Sequence, residues 1–348
     1  MKLAFTLALA ICLGAQQPEF DARSRLVQVP VTVMDARGHL IDSLDAGDFV
    51  VLDNGRPQKI NVDTIDTGVA PIALVIAVQS SGISSAVLEK VRKVAGMVEP
   101  LITGERGCVG LVSFAEHVTW LADCTRDAAV LGSAFQQLRA GAPTQARMLD
   151  AVSSAIERLR LRPNARRVLL VISESRDRGS EMDLAVVTSA SQAAGVTVYA
   201  ATYSAYKTAF TSKTPMRPPE PQGPPPVIPN PNHTGNGNPP NPWNPRIPPP
   251  EDRVDILAGV GELARLHKTN TIKVLTAGTG GTALPFTRQK GLEGAIEKLG
   301  VELHSQYVLS FAPDVSTPGY HRIEVRLARG GEFLVRARPG YWLDAGGR

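Results

Sequence analysis

The sequence carries none of the residue patterns by which common catalytic centres are recognised. It has no His-Glu-x-x-His zinc motif, no Gly-x-Ser-x-Gly nucleophile turn and no P-loop lysine after a glycine-rich run. The six histidines are scattered along the chain, which is typical of surface or structural histidines. We therefore expect that the protein is not an enzyme. A hydrolase that brings a nucleophile and a base together from distant segments is an alternative.

Two of the three cysteines have a spacing that would allow a disulfide. Cys108 and Cys124 lie at nearly equal distances from a predicted turn at Glu116-His117, which places them almost opposite each other on neighbouring strands. A bond is sterically possible there in an exported protein. A shift of one residue in the register would instead point the two side chains to opposite faces. A disulfide and two buried free thiols both remain open.

The first residues are typical of a secretory signal peptide. Lys2 is followed by an apolar run at 3–13 and by the small residues Gly14-Ala15. The run is too short to span a bilayer, which takes about 20 residues. We expect a cleaved signal at 1–15, with an uncleaved anchor as the alternative. The destination is then the periplasm, the cell surface or the medium, without a membrane span after cleavage.

The composition of the 348 residues is that of an ordinary globular protein, with 43% hydrophobic and 20% charged residues. The formal net charge is +4, and the basic residues are spread evenly apart from the stretch 158–167. This distribution gives no support to nucleic-acid binding.

The predicted secondary structure changes along the chain, from strands alone to strands that alternate with helices. Residues 24–66 form a predicted β unit, because Val27, Val29, Val31 and Val33 alternate with other residues at the period of a half-buried strand. From residue 70, apolar strands alternate with helical patterns, which predicts a doubly wound α/β fold with a mostly parallel sheet. The predicted strands are 72–78, 108–114, 118–122, 168–172 and 196–202, and the predicted helices between and beside them include 87–98, 148–161 and 182–194.

A proline-rich insertion at 207–252 interrupts this pattern. Residues 214–250 hold 16 of the 27 prolines, so we expect a disordered or polyproline-like loop. The insertion is either an inert surface loop or a docking strip with Trp243 as its anchor. Beyond it we predict a helix at 254–266, a strand or loop at 272–275 and a helix at 292–303.

The chain closes with three predicted strands, 307–311, 322–327 and 332–337. Neither these strands at 305–342 nor the N-terminal unit at 24–66 is large enough to be stable alone. We therefore predict that the two sets pair into one small β-sandwich-like unit beside the α/β domain.

Several short motifs, taken in their order along the chain, resemble those of a known protein family. The motifs are Val29-Pro-Val-Thr-Val33, Asp48-Phe49, Asn54-Gly55, Gly110-Leu-Val-Ser-Phe114, Leu121-Ala-Asp-Cys-Thr-Arg-Asp127, Thr279-Gly-Gly281, Gln306-Tyr-Val-Leu309 and Arg338-Pro-Gly-Tyr341. Together with residues 72–82 they resemble a von Willebrand factor type A domain, of the VWFA-related family abundant in acidobacteria. The resemblance assigns 68–304 to the type A domain and implies its Rossmann-like fold.

The resemblance also implies a metal-ion-dependent adhesion site, but this sequence has other residues at most of the expected ligand positions. The family's Asp-x-Ser-x-Ser motif is replaced by a segment in which Gln79 stands at the Asp, Ser81 matches a Ser and Ile83 replaces the other. In the loop that supplies a Thr ligand, Ala146 falls at the Thr position, and Thr144 could serve only with a longer loop.

The last metal motif, Thr-Asp-Gly, is represented by Ser173-Glu174-Ser175. Glutamate keeps the charge but moves its oxygens outward by about 1.5 Å, the length of one carbon–carbon bond. At most one anionic ligand remains, whereas Mg²⁺ requires oxygen ligands and compensating carboxylates. We expect no metal cofactor. The alternatives are weak Mg²⁺ or Mn²⁺ binding at Ser81, Thr144 and Glu174, or a different cation site near Asp177 and Glu181.

Ligand crevices of open α/β sheets lie at the carboxyl ends of the strands, so this region can bind a partner without metal. The predicted partner-binding residues are Gln79, Ser81, Ile83, Thr144, Arg147 and Glu174. A vestigial surface that binds no ligand is the alternative. The expected function is that of an exported, non-enzymatic protein-binding or scaffold protein. A metal-dependent adhesion module is the first alternative, and the hydrolase is the second.

Overall fold

The computed structural model describes residues 26–63, 70–81, 85–140, 145–203, 270–313 and 317–343. The predicted signal at 1–15, the insertion at 207–252 with Trp243 and the helix at 254–266 lie outside the described residues. So do Ile83 and Thr144 of the predicted site.

A six-stranded sheet with strand order β10-β9-β8-β5-β6-β7 forms the centre of the fold. Neighbouring strands are parallel except for β7, which runs antiparallel to β6 at one edge. The strands are β5 (Ile72–Gln79), β6 (Cys108–Phe114), β7 (Val118–Thr125), β8 (Arg166–Ser173), β9 (Val196–Thr202) and β10 (Ala283–Pro285). All eight residues of β5 are buried, as expected of a strand covered on both faces.

Helices cover both faces of this sheet, and two apolar cores lie between helices and strands. The helices are α1 (Ser85–Lys93), α2 (Ala95–Val98), α3 (Ala128–Gln136), α4 (Met148–Arg160), α5 (Leu184–Ala193), α6 (Thr271–Thr279) and α7 (Gln289–His304). The core on one face takes residues from α1, α3 and α7, and the core on the other takes residues from α4, α5 and α6. The predicted doubly wound α/β class is confirmed.

The remaining strands form two four-stranded sheets, ordered β13-β1-β11-β4 and β14-β12-β2-β3. They share a third apolar core that includes Val29, Phe49, Leu309 and Tyr341. Their strands are β1 (Val27–Asp35), β2 (Phe49–Asp53), β3 (Arg56–Pro57), β4 (Asn61–Asp63), β11 (Tyr307–Phe311), β12 (Gly319–Leu327), β13 (Phe333–Ala337) and β14 (Gly340–Leu343). β1 pairs with both β11 and β13, so N- and C-terminal strands join in one unit, as the fold prediction requires.

The prediction of a strand or loop at 272–275 is wrong, because this segment belongs to helix α6. The Asn270 side chain accepts a hydrogen bond from the Lys273 amide at 3.1 Å and caps the first turn. Gly280 ends the helix with a φ of 82°. Ile272 and Leu275 are buried on the same side of the helix, and this apolar stripe was too short to be recognised in isolation.

Candidate functional site

The carboxyl ends of β5 and β8 bring three of the predicted site residues together. Gln79 is the last residue of β5, and Glu174 follows directly after β8. The two strands are parallel neighbours, with Val78 opposite Ile172, so their ends meet at one edge of the sheet. We call the group formed there by Gln79, Ser81, Glu174 and Arg178 the crest.

Hydrogen bonds fix the orientation of the Gln79 amide at the crest. Gln79 is 1% exposed, and its Oε1 accepts a hydrogen bond from the backbone N–H of Glu174 at 3.0 Å. Because that N–H can only donate, the Nε2 group must point the other way. It donates to Ser81 Oγ at 2.7 Å and to Glu174 Oε2 at 3.3 Å. The amide therefore presents donors where an aspartate, as in the motif that the sequence resembles, would present acceptors.

The buried Glu174 carboxylate is compensated by an arginine from its own loop. Its side chain is 3% exposed and forms an ion pair with the guanidinium of Arg178, which is 23% exposed. Two backbone hydrogen bonds of 2.9 Å between Ala146 and Arg178 hold this loop against the chain that enters α4. Ser175, with a φ of 75°, turns the backbone between the carboxylate and the arginine. The positive charge beside Glu174 is thus supplied by the chain itself.

The chemistry of these side chains does not fit a divalent cation. Mg²⁺ and Mn²⁺ bind oxygen ligands with compensating negative charge, whereas the crest offers an NH₂ donor and a carboxylate already paired with a guanidinium. Within the described ranges, no group of three or more His, Cys, Asp or Glu side chains could hold a metal ion. No step that requires a metal is derived for this site.

Arg147 lies at the same edge of the sheet but bonds to the neighbouring loop and not to the crest. Its backbone N–H donates to the carbonyl of Ala115, the residue after β6, at 3.0 Å. Its guanidinium pairs with Glu181 at 2.9 Å and with Asp150 at 3.5 Å. The Glu181 side chain is 80% exposed, so this pair forms the solvent-facing part of the edge.

Asp177, considered as a ligand of a second cation site, is used to cap helix α4. Its Oδ1 accepts hydrogen bonds from the Leu149 amide at 3.0 Å and from Ser180 Oγ at 2.5 Å. Carboxylates at a helix N-terminus satisfy free amides and interact favourably with the helix dipole. Asp177 and Glu181 therefore have separate partners.

Cys108 and Cys124 form a disulfide, with their Cα atoms 5.2 Å apart. The bond ties the start of β6 to β7, the antiparallel strand at the edge of the central sheet. The pairing between these strands shifts register between Val109 and Val112, an irregularity that counting from the turn could not reveal. The disulfide lies away from the crest. It stabilises one edge of the central sheet, whose strands β5 and β8 carry the crest.

Sequence reasoning did not identify Arg178 as a member of the site. The signal was a pair of arginines, Arg176 and Arg178, within four residues of Glu174, the only acidic residue among the predicted site residues. An arginine close in sequence to a lone buried carboxylate is a candidate internal counter-charge.

Comparisons with known proteins give matches only among solved structures, since no family model and no curated protein matches the sequence. A von Willebrand factor type A protein from Catenulispora acidiphila is 9% identical, over 88% of this chain and 76% of its own, with a TM-score of 0.45. The conserved hypothetical protein BatB from Bacteroides thetaiotaomicron is 13% identical, over 67% and 98%, with a TM-score of 0.42. The SpRpn10 VWA domain is 16% identical, over 38% and 75%, with a TM-score of 0.32.

Two of these three structures, the SpRpn10 domain and the Catenulispora acidiphila protein, carry the name of the family that the sequence motifs resemble. At these identities and TM-scores the likeness carries no argument about what this chain binds. The architecture of the central sheet is established by its own strand order and pairing.

Proposed function

We propose that this chain is an exported, non-enzymatic protein-binding or scaffold protein that engages its partner through the crest edge without a metal ion. One observation carries the metal-independent part of the proposal: the carboxylate of Glu174 is compensated by Arg178 and by the Gln79 amide. A bound cation would have to displace the guanidinium and turn the amide, which is held by the Glu174 N–H. Removing that arrangement costs hydrogen bonds that the cation cannot restore.

Features elsewhere in the chain support an extracytoplasmic location. The Cys108–Cys124 disulfide is of a kind that persists in oxidising compartments. Residues 1–15 have the sequence pattern of a signal peptide. Apart from these two features, no helix in the described part of the chain is long and apolar enough to cross a membrane, a finding that does not bear on the location.

Metal independence is tested by calorimetric titration of the purified protein with Mg²⁺ and Mn²⁺. We expect no binding in the micromolar range and no change in melting temperature on adding a chelator. Micromolar binding that is abolished by Glu174→Ala would overturn the proposal in favour of a metal-dependent adhesion module. Generic ester, peptide and glycoside substrates should not be turned over, and turnover would favour a hydrolase.

The role of the crest edge is tested with a charge reversal at its exposed part. Glu181→Arg removes the ion pair with Arg147 and should abolish capture of a partner from an envelope extract, with and without chelator. Glu324→Arg is the matched control, because it reverses an exposed carboxylate paired with Arg326 in the terminal β unit. Equal capture by both variants and the wild type would place the binding surface elsewhere.

A further inference from the structure

A second concave surface lies at the opposite end of the central sheet, between that sheet and the terminal β unit. It is a cleft of about 670 Å³, within the range of small-molecule sites. Its lining comes from β1, from the amino ends of β8 and β9, from the carboxyl end of α5 and from β14. The crest lies at the carboxyl ends of β5 and β8, whereas the cleft lies at the amino end of β8. The inference drawn from the cleft is therefore independent of the proposed function of the crest.

Four arginines line the cleft, and none of its described lining residues is acidic. They are Arg160, Arg166, Arg167 and Arg338. Arg160 forms an exposed ion pair with Glu157 at 3.4 Å. The other three have no carboxylate within salt-bridge distance among the described residues. The wall of the cleft is therefore strongly positive without an equal number of negative charges.

The half-buried Arg166 and Arg167 bond to neutral oxygens, two of them at the ends of helices. Arg166 donates to the Leu303 carbonyl at 2.8 Å, at the end of α7, and to Gln306 Oε1 at 2.6 Å. Arg167 donates to the Ala194 carbonyl at the end of α5. The carboxyl end of a helix carries about half a negative charge, which only partly offsets a full positive charge.

Arg338 is the least compensated of the four. It is 7% exposed, and its Nη1 donates to the Gln192 carbonyl at 3.1 Å. Its Nε is buried and has no hydrogen-bond partner in the described ranges, and its guanidinium lies 5.8 Å from the centre of the Tyr341 ring. Burial lowers the pKa of Arg338 to about 10, so the side chain remains charged at neutral pH. A buried charge without a counter-charge is costly unless a ligand supplies one.

We propose that this cleft binds a small organic anion, whose carboxylate or phosphate group is held by Arg338 together with Arg160, while Arg166 and Arg167 add to the positive charge of the wall. A guanidinium presents paired N–H donors that match such oxygens. The apolar part of the ligand would lie against Trp342 and Leu26, which line the cleft and are 42% and 57% exposed.

The test uses inorganic phosphate and citrate as separate probes, titrated into the full chain at constant ionic strength with chloride as the reference salt. We expect saturable binding, a rise in melting temperature and a change in tryptophan fluorescence, since Trp342 borders the cleft. Response to phosphate alone assigns a phosphate ligand, and response to citrate alone assigns a carboxylate. No saturable response to either probe would overturn the proposal.

Two variants and a matched control locate the binding. Arg160→Gln changes an exposed wall residue and should weaken binding at least threefold; Arg338→Lys keeps the charge but loses the paired donors, and should weaken it at least tenfold. Arg326→Gln removes an exposed arginine that does not line the cleft and should have no effect. If Arg338→Lys does not fold, Arg160→Gln still decides. Equal affinities of Arg160→Gln, Arg326→Gln and the wild type would refute the assignment.

Discussion

Removing the guanidinium of Arg178 tests whether the crest is compensated from within. Arg178→Ala leaves the Glu174 carboxylate, which is 3% exposed, with the Gln79 amide but without its cationic partner. Loss of one partner from a buried ion pair costs about 3–5 kcal/mol. Because Arg178 is itself 23% exposed and the amide bond persists, we expect a loss near the lower end, about 3 kcal/mol.

A double-mutant cycle isolates the interaction energy between Glu174 and Arg178 from the other contributions of the loop. Glu174→Gln has nearly the same shape as the wild type and removes the negative charge, so it should cost about 1–2 kcal/mol through weakened hydrogen bonds. In the double variant no carboxylate remains to be compensated. The sum of the losses in unfolding free energy of the two single variants should therefore exceed the loss of the double variant by at least about 1 kcal/mol. A coupling energy of this size is within the range measured for residues in direct contact.

The assay is urea unfolding of the oxidised protein, followed by circular dichroism and by tryptophan fluorescence. With Trp243 and Trp342 replaced by Phe in every variant, Trp120 in β7 reports on the central sheet alone, which allows its unfolding to be distinguished from that of the terminal β unit. Arg326→Ala is the control; it breaks an exposed pair with Glu324 and should change stability by less than about 0.5 kcal/mol. A coupling energy below about 0.5 kcal/mol would refute internal compensation and the argument for metal independence that rests on it.

Three further predictions concern residues outside the crest and the cleft. Cys124→Ala should lower the free energy of unfolding by about 3 kcal/mol, because the disulfide joins residues with a sequence separation of 16, and the difference from wild type should vanish under reductant. Gly281→Ala should cost about 2–3 kcal/mol in the same urea assay, since its Cβ would lie 2.0 Å from a backbone carbonyl oxygen; a cost below about 0.5 kcal/mol would show that the turn can open. Burial lowers the pKa of His321, but hydrogen bonds to the Thr317 carbonyl and to Asp53 outweigh it and raise the pKa overall. A raised folded-state pKa gives stability that is present below the unfolded value of about 6.5 and is lost as the pH rises through the folded value. The wild type should therefore lose more stability than His321→Gln between pH 6 and pH 8 in urea melts, and equal losses would contradict the assignment.

The central sheet was predictable because its strands are continuous apolar runs. Residues 72–78 and 168–172 are buried on both faces, a pattern that few other elements produce. Helix α3 was not predicted, because its start depends on the Asp127 side chain accepting from the Ala129 amide at 2.8 Å, a local contact without a long apolar stripe. β10 and β14 were missed for another reason: each is short and becomes a strand only by pairing with β9 or β12.

The site was only partly predictable because its charge balance depends on a side chain that no motif marks. Gln79 and Glu174 were placed together by their positions after two parallel strands. Arg178 reaches Glu174 only because the loop after β8 turns at Ser175 and then pairs with Ala146. Such a turn depends on backbone conformation and long-range hydrogen bonds, which a single sequence does not display.

The two ends of the sheet differ in how their buried charges are compensated, and this difference predicts how each surface responds to ions. At the crest, Glu174 has an internal counter-charge in Arg178, so a chelator or an added divalent cation should leave partner binding unchanged. In the cleft, Arg338 has no carboxylate partner among the described residues, so in our proposal an anion from outside supplies the counter-charge. Partner binding at an exposed edge should weaken gradually with ionic strength through screening. Ligand binding in the cleft should depend on which anion competes for the guanidinium groups, with chloride competing less well than phosphate or citrate because it cannot accept paired hydrogen bonds. Binding that varied with salt concentration alone, and not with the nature of the anion, would show that the arginines act only as helix caps.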